Sequence, residues 1–475
     1  MEHSLYEKIA TQVEKQIHNG IFLPGKKIPS VRKLSKQLNV SVATVLQAYS
    51  LLEDRGIIKA RPQKGYFVQD HIPPKQSSNS NIVKPIENDG SIHTLLRRLL
   101  HASQRPDIVQ FAAAIPQSPF LPIRQLQRSV GRLMRLEPEI CAAYAFTPGS
   151  LSLRRQIAIR MLDTGCQLQP DDITITMGCQ NGLMLSLQAI AKAGDTIAIE
   201  SPTYHGVLQV IEVLQMKAIE IPCDSQHGIN LNVLEQTLKQ WPIKACIVTP
   251  DNQNPTGATL NHIARQHLLT LATRHQFTLI EDDVYGELNY NHRREHALKA
   301  DDQTNSIIYC SSFSKSIAPG FRVGWIVAGK HQAQIEHLAY IQSLAVPTLT
   351  QTAITNFLEN GAYDRHLRRT RAAYHDNLIR YQAIISQHFP TGTSTSTPTG
   401  GFLLWVTLPS DIDAMALHTQ ALNIGIGILP GVAFSLTNQY PHHFRINYAL
   451  TWDTKTQDAL KQLGKLACQQ VPNGY

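Results

Sequence analysis

The sequence predicts an α/β protein carrying a small helical head: a unit of about 70 residues made of three short helices and a hairpin, followed by a large body with a doubly wound sheet and a smaller α+β lobe. Three observations predict it. Apolar residues recur every third or fourth position between Leu5 and Leu52. A stretch rich in Pro, Ser, Asn and Lys, residues 71–90, then has no apolar period and reads as a flexible linker. Beyond it, from 91 to 475, short β-branched runs alternate with longer helical ones.

In the head, Leu5, Ile9, Val13 and Ile17 give an amphipathic helix that ends near Gly20. After the loop Leu23-Pro24-Gly25, Ser30 can cap a second helix that turns Val31, Leu34 and Leu38 inward, with Asn39 as its stop. Ser41 can cap a third, with Val42, Val45, Tyr49 and Leu52 inward and Gly56 closing it. Ile57 to Ala60 and Tyr66 to Val68 form a hairpin around a basic tip. Two helices joined by a short turn and followed by such a hairpin make a winged helix-turn-helix over residues 1–70.

In the body, Ile173 to Met177, Ile197 to Glu200, Ala218 to Ile221, Ala245 to Thr249, Thr278 to Glu281, Ile307 to Ser311 and Val323 to Ala328 are expected strands. Most are followed by helical residues, the pattern of a sheet covered on both faces. From about Leu338 a long helix and short strands at Gly401 to Thr407 and Phe444 to Tyr448 predict the smaller lobe.

Composition narrows the function classes. The chain has 475 residues, 43% hydrophobic and 17% charged, too apolar for disorder. Its longest apolar stretch, near Ile424 to Leu436, is broken by Pro430 and Gly431, so no membrane crossing is expected. The first residues lack the apolar core of a secretory signal, so a cytoplasmic location is expected. Seven scattered cysteines without a Cys-x-x-Cys pair predict neither disulfides nor a zinc site. Of the net charge of +8, residues 1–70 hold 11 Lys and Arg against 6 Asp and Glu. A basic head before a nearly neutral body points to a polyanionic partner for the head.

In a helix-turn-helix the third helix enters the major groove, which makes Ser41, Thr44 and Gln47 candidates for base edges, and Arg32 and Lys64 candidates for phosphates. The run Leu23-Pro24-Gly25-x-x-Ile28-Pro29-Ser30-x-Arg32-x-Leu34, followed by Ser41-x-x-Thr44-Val45-x-x-Ala48-Tyr49 and Gly56, resembles the GntR family of bacterial transcription regulators. The resemblance implies that Arg32, Ser41 and Thr44 contact double-stranded operator DNA.

The body carries the residue types that pyridoxal 5'-phosphate (PLP) chemistry needs: a lysine for the aldehyde, an acid for the ring nitrogen, and an arginine with backbone amides for the phosphate. Ser312-Phe-Ser314-Lys315, with Arg322 seven residues on, supplies the lysine and a phosphate grip. Asp282 ends an expected strand and Tyr285 follows it, while Asp283 is suited to capping the next turn. Asn254 lies in a turn, and Met177-Gly178-Cys179-Gln180 sits where a strand enters a helix, a site for phosphate. Tyr204 offers a ring for stacking.

Together these motifs resemble the class I/II aminotransferases of PLP fold type I. That resemblance implies Lys315 as the Schiff-base residue, Asp282 at the ring nitrogen, Asn254 and Tyr285 on the phenolic oxygen, and Tyr204 stacked on the ring. It implies Cys179, Gln180, Ser312, Ser314 and Arg322 around the phosphate, Tyr144 reaching a second subunit's phosphate, and Arg445 on an amino acid's carboxylate. Cys179 replaces a usual hydroxyl or alanine, and Ala113-Ala114-Ile115-Pro116 lacks the glycine many transaminases place beside the carboxylate. Head and body together resemble the MocR branch of bacterial regulators. The implied function is a homodimeric regulator that binds an operator and senses PLP, an amine or an amino acid through Lys315. The alternative is a competent aminotransferase with a DNA-binding appendage.

Overall fold

The computed structural model describes residues 5–18, 25–38, 40–61, 65–69, 84–86, 107–291 and 294–471. It divides into two compact units, 1–81 and 82–475. No helix among the described residues is long and apolar enough to cross a membrane.

The head contains α1 (Leu5–His18), α2 (Val31–Leu38) and α3 (Val42–Asp54), then the antiparallel pair β1 (Ile58–Arg61) and β2 (Gly65–Val68). Its core joins Ile9, Val13 and Ile17 of α1 to Leu34, Val45, Ala48, Tyr49, Leu52, Ile58 and Val68. Tyr49 ties this core together: its hydroxyl donates to the Pro29 carbonyl at 2.7 Å, and its ring meets Tyr66 edge-on at 4.9 Å. Both expected caps form, since Ser30 Oγ accepts from the Lys33 amide at 3.3 Å and Ser41 Oγ from the Thr44 amide at 3.1 Å. One expectation is corrected. Val42 does not face inward but is 45% exposed, because the buried face of α3 starts a turn later at Val45 and position 42 projects beyond the last core contact. Asn39 and Lys64 lie outside the described residues.

The body is organised by an eight-stranded sheet. Its strands are β4 (Ile173–Thr176), β5 (Thr196–Ser201), β6 (Lys217–Asp224), β7 (Gly228–Ile229), β8 (Ile243–Val248), β9 (Thr278–Asp282), β10 (Ile308–Ser312) and β11 (Gly324–Val327), in the spatial order β4-β11-β10-β9-β8-β5-β6-β7. The central strands β10, β9, β8, β5 and β6 run parallel, and the near-continuous apolar content of β5 and β8 reflects burial on both faces. β11 is antiparallel to both β10 and β4, so β4 points the same way as the parallel set. On the outer side of β6, Ile86 forms an antiparallel bridge with Ala218, so residues 84–86, expected as part of the flexible linker, are instead anchored to the body by backbone hydrogen bonds.

A second sheet, in the order β12 (Ser394–Thr395), β13 (Leu403–Thr407), β16 (His443–Asn447), β15 (Leu429–Pro430), builds the smaller lobe. The remaining pair is β3 (Val109–Gln110) with β14 (Ile426–Gly427). The helical stretch from about Leu338 is three helices, Gln332–Ser343, Thr348–Glu359 and Ala362–His388. Pro347 and the left-handed Gly361 (φ +59°) separate them.

Candidate functional site

Five strand ends converge on one cavity. β4 leads through Gly178 into the helix Cys179–Ile190, β5 leads to Tyr204, β8 to Thr249 and Asn254, β9 ends at Asp282, and β10 ends at Ser312 just before Lys315. This is the carboxyl edge of the sheet, where open α/β folds hold ligands. The cavity is lined by Cys179, Gln180, Tyr204, Asn254, Asp282, Tyr285, Ser312, Ser314, Lys315 and Arg322, every one a residue singled out by the sequence motifs. Leu183, Thr249 and Val284 line it as well. Val284 lies two residues beyond the end of β9, in the bend that leads to Tyr285.

Asp282 is 7% exposed and has no cationic side chain bonded to it; its Oδ1 accepts from the Cys179 thiol at 3.2 Å. Burial pushes its carboxyl up to about 6, the thiol's hydrogen bond pulling the other way. Burial and the neighbouring Asp282 hold the Cys179 thiol well above its ordinary value, so it stays a donor. Lys315 Nζ donates to the Ala114 carbonyl at 2.8 Å, and burial, then the charge of Arg445, bring its amine down to about 8. Burial raises the Tyr204 hydroxyl to about 12 and also raises that of Tyr285, leaving both as neutral donors.

The opposite end of the cavity is built for an anion. Gly178 (φ +84°) precedes the helix Cys179–Ile190, and a Cβ there would stand 2.7 Å from Arg322 Nη2, so only glycine lets the guanidinium approach. Arg322, itself left-handed (φ +53°), donates to the Met177 carbonyl at 2.8 Å and reaches Ser314 Oγ at 3.5 Å. Arg322 is exposed, so this end opens to solvent. Gln180 donates to the Gly206 carbonyl at 2.9 Å, and its Oε1 is buried without a partner.

Arg445 comes from β16 in the smaller lobe and is 1% exposed. Its Nη1 donates to Asn254 Oδ1 at 2.8 Å, Nη2 donates to the Ala112 carbonyl, and its guanidinium lies 5.1 Å from the Phe434 ring. Nε is buried without a partner, and burial lowers the group to about 10. A buried guanidinium with an unused N–H suits a carboxylate. Asn254 thereby turns its carbonyl to Arg445 and leaves its amide hydrogens for the cavity.

Two expected residues stand apart. Tyr144 is 67% exposed and stacks on Phe146 at 5.3 Å, outside the cavity formed by a single chain. Cys179 differs from expectation in what its side chain does: its thiol engages Asp282, while its backbone amide lies in the first turn of the helix Cys179–Ile190. Sequence reasoning also missed His205, whose Nδ1 is buried without a partner beside Tyr204 and Phe434 and whose imidazole burial depresses to about 3. Asp283 is not the N-cap of the next turn, Gly286–Leu288, a place taken by Tyr285; its carboxylate instead accepts from the Gly286 amide at 3.1 Å and takes Arg294 and the Tyr309 hydroxyl. No group of three or more His, Cys, Asp or Glu placed for a metal ion occurs among the described residues.

In the head, Arg32 and Gln47 are exposed, and Ser41 and Thr44 hydrogen-bond to each other at 2.7 Å. The exposed Arg32, Lys33, Lys36, Lys59 and Arg61 supply its cationic surface.

A lysine with a lowered amine, a buried carboxyl with no cation hydrogen-bonded to it and an arginine beside a helix N-terminus fit an aldehyde, a protonated ring nitrogen and a phosphate on one molecule. Fold and cavity thus define a class: an aminotransferase-type body joined to a winged-helix head. The family model "Aminotransferase class I and II" matches residues 110–463, and "Bacterial regulatory proteins, gntR family" matches residues 5–68. The HTH-type transcriptional regulator YjiR of Escherichia coli (strain K12) is 38% identical over 97% of this chain and 98% of its own length. The chain belongs to this family of HTH-type regulators, with a gntR-type head and a class I and II aminotransferase body. Among solved structures, kynurenine aminotransferase of Pyrococcus horikoshii, in complex with PMP, superposes with a TM-score of 0.74 at 29% identity, covering 79% of this chain and 95% of that one. LysN, the alpha-aminoadipate aminotransferase of Thermus thermophilus, gives 0.73 at 26% identity with coverage of 79% and 95%.

Proposed function

We propose that this chain is a cytoplasmic, PLP-binding transcription regulator of the MocR type, a homodimer whose heads bind operator DNA and whose bodies sense PLP, an amine or an amino acid through Lys315. One observation carries the reading: Lys315, Asp282 and Arg322 line a single cavity in a chain whose described head residues form α1–α3 and the β1–β2 pair of a winged helix. The reading divides the chain as 1–70 head, 71–90 linker and 91–475 body, with residues 84–86 at the far end of that linker held to the body by the Ile86–Ala218 bridge.

In this assignment Lys315 anchors the cofactor covalently, and its lowered amine supplies free base near neutral pH. Asp282 holds a proton on the ring nitrogen, Tyr204 packs on the ring, and Asn254 and Tyr285 donate to the phenolic oxygen. Ser312, Ser314, Arg322 and the amides of Cys179 and Gln180 hold the phosphate, completed by Tyr144 from a second copy, whose exposure is what such a role needs. When bound, PLP supplies an aldehyde carbon open to amines and an electron-withdrawing ring. Arg445 takes an effector's carboxylate through its unused Nε. Arg32, Ser41, Thr44, Gln47 and Lys64 are the DNA contacts. An effector regulates DNA binding only if it binds the two arrangements of the dimer unequally.

The test is footprinting of the full chain on DNA flanking its gene, with PLP alone and with a panel of amines and amino acids. Salt-sensitive protection altered by one amine supports the reading; no protection on any fragment rejects it. The second reading, a working aminotransferase, draws on the same cavity. Rapid multiple turnover of an amino acid with a keto acid, without operator binding, would favour it.

A further inference from the structure

The recognition helix carries an apolar face that no polar-contact scheme uses. Val42 is 45% exposed and Leu46 47% exposed, one turn apart on α3, and Ala43 and Gln47 beside them are exposed as well. The polar residues expected to read bases are partly committed elsewhere. Ser41 Oγ caps the helix through the Thr44 amide at 3.1 Å and is bonded to the Thr44 hydroxyl at 2.7 Å. What α3 presents outward over its first turn and a half is therefore mainly aliphatic.

Charge identifies what covers this face. The first turn of α3 has no acid, and the helix's two acids, Glu53 and Asp54, sit at its far end. Exposed Arg32, Lys33 and Lys36 of α2 and Lys59 and Arg61 of the wing lie on the two flanking elements of the head. An aliphatic strip on a cationic module with an electropositive helix N-terminus matches a duplex groove, where phosphates flank and base edges meet the strip. Of the groups displayed in the major groove, only the thymine 5-methyl is apolar. Val42 and Leu46 are separated by about 6 Å along the helix axis, close to two base steps of about 3.4 Å each.

We infer that Val42 and Leu46 are sequence-reading residues that cover the 5-methyl groups of two operator thymines, with Gln47 beside them placed for an adenine edge. The inference rests on the DNA-binding reading of the head and deepens it: thymine methyls specify the half-site alongside the polar contacts of that reading.

The test uses the purified full chain and a random-sequence duplex pool, from which bound molecules are enriched. The enriched duplex is then remade with deoxyuridine replacing each thymine in turn, a change that removes only the methyl. Two thymines are expected at which the change weakens binding about fourfold, the equivalent of one buried methyl. Val42→Ala should abolish the thymine-over-uracil preference at one of them and Leu46→Ala at the other, with the melting of the head unchanged. An enriched duplex that binds equally well with uracil throughout overturns the inference and leaves the operator reading standing. A pool that yields no enriched sequence overturns both. Val42→Ala or Leu46→Ala changing the oligomeric state, with no uracil effect, would assign the strip to a second copy and also overturn it.

Discussion

Cys179 donates to Asp282 from a position where a hydroxyl or alanine was the expectation, and the contact has a measurable consequence. With the thiol in place Asp282 titrates at about 6, raised by burial and held down by that hydrogen bond. The carboxylate that steadies a protonated ring nitrogen is present above this value, so PLP uptake should weaken as pH falls through it. Cys179→Ala removes the donor and should move the midpoint of uptake upward by a fraction of a pH unit to about one; Cys179→Ser keeps a donor and should leave it near wild type. A pH titration of visible absorbance on the three proteins decides it, and an unmoved midpoint in the alanine variant would show that the thiol does not act on Asp282. The residues themselves were legible from motif spacing, because PLP chemistry fixes which residue types it needs. Their directions were not. That Cys179 turns its thiol toward a residue 103 positions away depends on how two strands and a helix pack. The exposure of Tyr144 depends on a fold that leaves it outside the single-chain cavity.

At the carboxyl edge of the sheet, burial raises three carboxyls together: Glu200 to about 8, Glu281 to about 7 and Asp282 to about 6. The folded state then keeps protons that the unfolded chain releases near its ordinary values of about 4. The contribution of these three groups to the stability of the body is therefore full below that range and falls as pH rises toward 8, each group contributing at most about 1.4 kcal/mol per pH unit while its two states differ in protonation. Glu200→Gln should flatten the fall between pH 5 and 8, since a glutamine carbonyl can still accept from the Thr249 amide, now at 3.1 Å. Urea midpoints across that range read it, and an unchanged slope would place the linkage elsewhere. In the head, Ser41→Ala removes the α3 cap and should cost about 1 kcal/mol, seen as earlier melting of the head, whereas Ser41→Asp should retain the cap. Most expected strands were readable within a residue or two because their apolar runs are buried on both faces, while β6 runs three residues past the expected Ile221, where its burial gives way to the exposed Pro222 and Asp224. The outward face of α3 was not: periodicity places Val42 on the same side as Tyr49, and only the packing shows that the core ends before it.

Across the whole molecule, the two units separate two kinds of charge work, and this separation can be tested by crossing variants. The head carries most of the net charge, and its phosphate contacts set how steeply DNA binding falls with salt. Arg32 is exposed on α2, so Arg32→Ala should weaken binding to all duplexes and reduce the slope of log affinity against log salt by about 1. It should leave PLP uptake unchanged, because no cavity residue belongs to the head. Lys315→Ala should do the converse: no borohydride-trapped PLP adduct, an unchanged salt slope, and no response of DNA binding to any amine. Measuring both quantities on both variants gives four outcomes, and each diagonal is informative. If Lys315→Ala loses the adduct yet an amine still shifts DNA binding, the effector acts without the lysine and the covalent sensor is wrong. If Arg32→Ala alters PLP uptake, the head and the cavity are coupled directly, and the charge partition drawn from the sequence does not describe how the protein works.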